Sequence, residues 1–174
     1  RGIVDLVRLL SPLPGLEDLG MTTNAVMLPH FAADLKEAGL HRVNISLDSM
    51  APDEFKRVTR NGNLEQVLAG IDAALAAGLT PVKLNCVIDK TPDEPDAVAV
   101  QKYADSKGIE VRFIRRMDMQ KGEFWQVKGG SGGNCAECGR LRITSTGEVL
   151  PCLFSDMAFD VREVGIREAL EAAV

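Results

Sequence analysis

From Ile3 to Ile114 the chain alternates four times between helix-period and strand-period stretches, and this limits its fold more than any other feature. Ile3, Leu6, Val7 and Leu10 recur at helical spacing before Pro12 and Pro14. A strand is expected within Leu16 to Thr22. A helix follows from Leu28 to Ala38, with Pro29 near its start and Gly39 past its end. Arg42 to Leu47 reads as the second strand, and Pro52 opens a short helix to Val58. Asn63 caps a helix striped by Leu64, Val67, Leu68, Ile71 and Leu75, closed by Gly78. Val82 to Ile88, a helix over Asp96 to Ser106, and Ile109 to Ile114 complete the series. Helices between short strands predict right-handed βαβ units and a parallel sheet.

In parallel α/β folds the ligand lies beyond the carboxyl ends of the strands. Those ends are polar here: Thr22, Thr23 and Asn24; Asn44, Ser46 and Asp48; Lys83 and Asn85; Arg112, Arg115, Arg116 and Met117. A sheet covered on both sides should be apolar on both faces, so this pattern predicts an interior that receives a polar ligand. The fold class expected is α/β, a partial parallel (βα) barrel over residues 1–119, with a doubly wound sheet as the alternative. Residues 120–133 read as a linker, because Lys128 to Gly133 is Lys-Gly-Gly-Ser-Gly-Gly. Residues 134–174 form a small C-terminal subdomain, with a hairpin of Leu141 to Thr144 and Glu148 to Leu153 and a helix from Arg162 to Ala173.

Twenty basic residues against 25 acidic ones give a net charge of -5, which argues against a general nucleic-acid binder. No apolar run reaches the ~18 residues of a membrane span. No secretory leader is visible, so a cytoplasmic protein with reduced thiols is expected. The opening Arg1-Gly2, without an initiating Met, suggests a fragment.

Cys135 and Cys138 form a C-x2-C pair, and Cys152 follows with 13 residues between. Three thiolates suit an iron–sulfur cluster with one open iron, or zinc with a fourth ligand such as Asp156. Cys86 lies mid-strand between Leu84 and Ile88 and reads as a buried, inert thiol. Arg140 and Arg142 alternate just after the pair and carry planar donors suited to carboxylate or phosphate.

The segment from Asn134 to Phe154 reads Cys-Ala-Glu-Cys, Gly-Arg-Leu-Arg, a Thr-Ser-Thr-Gly turn and Pro-Cys-Leu-Phe. It resembles the C-terminal cluster motif of the GTP 3′,8-cyclase family, radical S-adenosylmethionine enzymes that begin molybdenum cofactor biosynthesis. Thr22-Thr23-Asn24, Asn44 to Ser49, Gly70 to Gly78, Val82 to Asn85 and Arg112-Phe113-Ile114 are similar to the same family. The resemblance implies a partial radical SAM barrel with a cluster-binding extension, and a lyase converting GTP to 3′,8-cyclo-7,8-dihydro-GTP; the alternatives are a divergent radical SAM enzyme with a second cluster and another substrate, or a zinc-bound structural or binding module. It implies a [4Fe-4S] cluster on Cys135, Cys138 and Cys152, with its open iron facing the barrel mouth. Substrate contacts are implied for Thr22, Lys83, Arg112, Arg140, Leu141 and Arg142, and S-adenosylmethionine contacts for Ser46 and Met117. Lys83, Arg112, Arg140 and Arg142 would together hold the triphosphate. The pathway partner implied is the synthase of cyclic pyranopterin monophosphate; a homodimer is compatible, and no nucleic acid or membrane partner is expected.

The chain departs from the family pattern at several points. The C-x3-C-x2-C motif of the S-adenosylmethionine-cleaving cluster does not occur in these 174 residues, nor does the family's Gly-Gly-Glu-Pro segment. This fragment alone is therefore expected to be inactive, with no catalytic residue assigned in it. Arg115 stands where the family has an acid, Asp89 to Pro95 replaces an Asn-containing turn, and Gly122 to Gly133 is shorter by tens of residues. The chain also ends at Val174 without the family's Gly-Gly tail.

Overall fold

A computed structural model describes residues 2–118, 121–130 and 132–174, with Glu137 in its backbone only. Residues 119 and 120, the expected last residue of the barrel and first of the linker, and Ser131 within the glycine-rich stretch lie outside the described residues. Two compact units emerge: Arg1–Arg116 with Trp125–Ser131, and Met117–Phe124 with Gly132–Val174.

The first unit runs α1 (Ile3–Leu10), β1 (Gly20–Thr23), α2 (Leu28–Glu37), β2 (Arg42–Ser46), α3 (Pro52–Thr59), α4 (Leu64–Ala76), β3 (Lys83–Ile88), α5 (Pro95–Lys107) and β4 (Glu110–Arg115). Proline in the first turn starts α2, α3 and α5, where the missing N–H costs nothing. The Asn63 carboxamide caps α4 by accepting from the Gln66 N–H at 3.1 Å. Gly108, in the left-handed conformation, ends α5.

The four strands are parallel and lie in sequential order β1-β2-β3-β4. A doubly wound sheet requires the order to reverse, so this is the arc of a partial barrel. Val43, Ile45, Leu47, Leu84, Cys86, Ile88 and Val111 bury one face of the sheet against α2, α4 and α5. The opposite face carries the polar residues, as the alternation predicts. The first expected strand is shorter than its sequence run. Leu19 is drawn to His41, its N–H donating to Nδ1 at 3.0 Å and its carbonyl accepting from the His41 N–H at 2.9 Å. The Leu19 N–H is thereby taken by a side chain and not by a carbonyl of the neighbouring strand ahead of Gly20.

Part of the expected linker is held in place. Phe113 and Lys128 exchange both backbone hydrogen bonds, at 2.9 and 3.1 Å, so this segment pairs along the outer edge of β4. Arg115 lies over the Trp125 ring, 3.8 Å from its centre. The backbone pairing available at an open strand edge explains why a flexible composition settles there.

The second unit contains a 3-10 turn at Cys135–Glu137, then β5 (Arg142–Ile143), β6 (Glu148–Leu150), β7 (Phe159–Asp160), α6 (Val161–Val164) and α7 (Ile166–Ala172). The expected hairpin is present but shorter, and β7 adds a third antiparallel strand missed in the sequence because it is two residues long. The expected final helix is broken at Gly165, whose φ of 93° and ψ of 155° suit glycine alone. Val149, Ala169 and Ala173 form its small core, and Phe124 stacks on Phe154 with ring centres 4.7 Å apart. Among the described residues no helix is long and apolar enough to cross a membrane.

Candidate functional site

The polar sheet face is organised in rows across the strands. Thr22, Asn44, Lys83 and Glu110 are successive register partners, and so are Ser46, Asn85 and Arg112. Strand parity therefore gathers Thr22, Ser46, Lys83 and Arg112 on one face, as expected from the sequence. Thr22 and Ser46 are exposed there, while Lys83 and Arg112 are half-buried.

Two residues not assigned from the sequence organise this face. Asn44 donates from Nδ2 to Thr22 Oγ1 at 3.5 Å and accepts on Oδ1 from Arg112 Nη1 at 3.4 Å and Arg42 Nη1 at 3.5 Å. Glu110 holds the Lys83 ammonium at 2.5 Å, and that hydrogen bond lowers the Glu110 pKa. The sequence signal for both was positional: each is one strand across from an expected contact. Asn85 Oδ1 and Arg112 Nε are buried without a hydrogen-bond partner among the described residues.

Beyond the strand ends of the same unit lies a cavity of about 330 Å³ lined by Asp48, Glu54, Arg57, Asp89, Glu94, Asp96 and Arg116 among others. Its charges are mutually satisfied. Asp48 accepts from the Val87 N–H at 2.8 Å, Ser49 donates to Asp96 at 2.5 Å, and Arg116 pairs with Asp89 at 2.8 Å. Glu94 accepts the N–H groups of Asp89, Lys90 and Thr91. Arg57 is bonded to Glu54.

The Asp48 pKa is raised, because its burial outweighs the Val87 bond and the Arg116 charge. The sign follows: ionised Asp48 costs folding stability as pH rises through the ordinary carboxylate range, and protonated Asp48 costs none. Asp48→Asn keeps an acceptor for Val87. It is expected to raise the thermal midpoint at pH 7 and to match the unaltered chain near pH 3, as read by melting curves across pH.

Cys86 is buried, and desolvation, with Asp48, Asp96 and Glu94 adding, pushes its thiol up to about 12. Its burial is as the sequence predicts, and a protonated, buried thiol is a poor nucleophile. In the second unit Cys135 and Cys138 are exposed and Cys152 is half-buried, all three as free thiols. One 3-10 turn links the first two, the Cys138 N–H donating to the Cys135 carbonyl at 3.3 Å. The Phe154 N–H points at Cys152 Sγ from 3.5 Å, a contact that suits a thiolate. The donor chemistry thus fits an iron–sulfur group. Among the described residues, however, no three Cys, His, Asp or Glu side chains converge on one metal position. Arg140 and Leu141 are exposed, Arg142 is half-buried, and Arg142 Nη1 is buried without a hydrogen-bond partner among the described residues. Met117 is exposed and belongs to this second unit, whereas Ser46 belongs to the first.

Comparison with known proteins adds a lineage to this geometry. The profile of the Radical SAM superfamily matches residues 1–104. The GTP 3′,8-cyclase of Alkaliphilus oremlandii is 33% identical over 222 aligned positions, which cover the whole chain and 69% of that protein. That of Petrotoga mobilis is 34% identical over 226, covering the whole chain and 70% of its own length. That of Hydrogenovibrio crunogenus is 46% identical over 117 residues, covering 67% of this chain and 35% of that protein. The chain thus spans about two thirds of the length of the first two. Their alignments are longer than its 174 residues, so they carry extra residues within the matched span. Among solved structures, the Escherichia coli coproporphyrinogen III oxidase HemN, a radical SAM enzyme, aligns with a TM-score of 0.49 at 17% identity, over 65% of this chain and 27% of that one.

Proposed function

The chain belongs to the Radical SAM superfamily and, within it, to the GTP 3′,8-cyclase family, and we propose that it holds GTP for conversion to 3′,8-cyclo-7,8-dihydro-GTP. The observation that carries this reading is identity of about one third along the whole chain to proteins of that name. The polar face of β1 to β4 supports it, because it presents fixed cations where a barrel binds its ligand.

The family implies a [4Fe-4S] cluster and S-adenosylmethionine, which when bound supply the radical chemistry that removes hydrogen from the substrate. No C-x3-C-x2-C motif in this stretch would seat the cluster that cleaves S-adenosylmethionine. Cys135, Cys138 and Cys152 would hold a second cluster.

The chain's own residues do the binding and orienting. In the first unit Lys83 and Arg112 would take phosphate oxygens, with Thr22 beside them. Glu110 and Asn44 keep the two cations from swinging away. Ser46 would contact S-adenosylmethionine. In the second unit Arg140, Leu141 and Arg142 would contact GTP, Met117 would contact S-adenosylmethionine, and Arg142 Nη1 has a donor to give. The product would pass to the synthase that forms cyclic pyranopterin monophosphate.

The test is calorimetric titration of GTP into the anaerobically iron-loaded chain. Lys83→Ala and Arg142→Ala are each expected to weaken GTP about tenfold or more, the value of a charge-assisted contact. Unchanged affinity in both variants would overturn the reading.

A further inference from the structure

We propose that Asn85 and the Nε–H of Arg112 together grip a hydroxyl of the bound nucleotide's ribose, making Asn85 a substrate-positioning residue; this rests on the GTP reading above. The two atoms, Asn85 Oδ1 and Arg112 Nε, are buried and have no partner among the described residues. They belong to register partners on adjacent strands, so both side chains rise from the same face. One accepts and the other donates, yet they do not bond to each other. Leaving such groups buried and unpaired costs about 1–3 kcal/mol each, which a ligand can recover.

Arg112 is not free to seek another partner by swinging away. Arg112 is tethered at Nη1 to Asn44, 3.4 Å away. On its other side the segment pinned to β4 closes over it: a Cβ built on Gly130 would lie 3.3 Å from Nε and 3.4 Å from Val127 Cγ1. Next in the row above, Lys83 is held by Glu110. What remains is an unpaired acceptor beside a fixed donor. A phosphate oxygen at this Nε–H would face the Asn85 carbonyl with like polarity, so the phosphate contact proposed for Arg112 falls to its Nη groups. An ammonium would satisfy the carbonyl but face the Nε–H with like polarity. A hydroxyl donates and accepts at once, so it completes both. A nucleotide carries its hydroxyls on the ribose, the part whose placement decides which hydrogen is lost.

The experiment is a cycle between protein and ligand. GTP, 2′-deoxy-GTP, 3′-deoxy-GTP and GDP are titrated calorimetrically into the anaerobically iron-loaded chain and into its Asn85→Ala and Asn85→Ser variants. Removing the gripped hydroxyl is expected to lower affinity about tenfold in the unaltered chain and less than about twofold in Asn85→Ala. The 2′ and 3′ analogues tell which hydroxyl is held. Asn85→Ser keeps a small acceptor and is expected to fall between the two; it gives the same comparison if Asn85→Ala does not fold. Equal losses in all three proteins would overturn the grip while leaving GTP binding intact, the pair then holding water alone. Coupling of Asn85 to the terminal phosphate, seen with GDP, would also overturn it. Absence of GTP binding by the unaltered chain would remove the nucleotide reading and the grip together.

Discussion

Replacing any one of Cys135, Cys138 and Cys152 by Ser is expected to abolish iron uptake, where the unaltered chain reconstituted without oxygen takes up about four irons per molecule. Cys86→Ser is expected to leave uptake unchanged. The contrast follows from where the thiols lie. A cluster ligand must be a thiolate that solvent and metal can reach. Cys86 is buried with its thiol pushed up to about 12, so it stays protonated and sealed. Cys135 and Cys138 are exposed on one tight turn, and Cys152 is half-buried with an N–H aimed at its sulfur. The third thiol has to close on the other two when metal binds, because the three do not converge as they stand. The unit can let it do so. Its core is only Val149, Ala169 and Ala173 with a few partly buried neighbours, so metal ligation would supply folding free energy that packing does not. The same variants are therefore expected to lose the metal-dependent protection of residues 132–174 from proteolysis. Iron and sulfide analysis with spin resonance checks the first result. Full iron uptake by the three single variants, or stoichiometric zinc with no iron under reducing conditions, would reject the cluster.

The barrel arc was legible because its signals are local and repeated. Stripes such as Leu64, Val67 and Ile71, with proline at helix starts and Asn63 as a cap, each act within a turn or two of chain. Period-two alternation placed Lys83, Asn85 and Arg112 on one face without any knowledge of neighbours. What escaped depended on residues distant in sequence. Leu19 leaves the strand for His41, 22 positions away. Glu110 reads as an ordinary strand-edge acid until register sets it beside Lys83. The glycine-rich stretch reads as a linker until Phe113 offers it an open edge. For the site, motif spacing named the three cysteines but held no information on how far apart their sulfurs rest. Asn85 was visible as a polar strand residue; its unpaired oxygen is a property of packing and had no sequence signal.

Gly70→Ala is expected to destabilise the first unit by about 3 kcal/mol, although helix propensity alone predicts the opposite sign. Alanine in a helix interior is favoured over glycine by about 0.8–1 kcal/mol, so an exposed site would gain. Gly70 sits in α4, buried, where the helix crosses the corner between β1 and α2. A Cβ there would fall on the Ala25 carbonyl oxygen and lie 2.8 Å from the Ala25 Cβ. That carbonyl already accepts the Leu28 N–H at 2.9 Å, opening α2, and the Ala25 N–H donates to Thr23 Oγ1 at 3.1 Å. Backbone must therefore move, and it carries β1 with it. Ala25 itself has a φ of 66°, a conformation glycine adopts at less cost. Ala25→Gly alone is expected to change stability little, because relief of the positive φ is offset by the loss of a fully buried methyl, about 0.8 kcal/mol. Combined with Gly70→Ala it should recover only part of the loss, since it removes the methyl contact and leaves the carbonyl clash. Melting curves of the two single variants and the double variant check this; a Gly70→Ala chain as stable as the parent would show that the corner yields freely. The same shift reaches the site, because Thr22 lies on β1 and is held to Asn44, which is tethered to Arg112. Gly70→Ala is thus expected to weaken GTP binding as well, through a residue that touches no ligand.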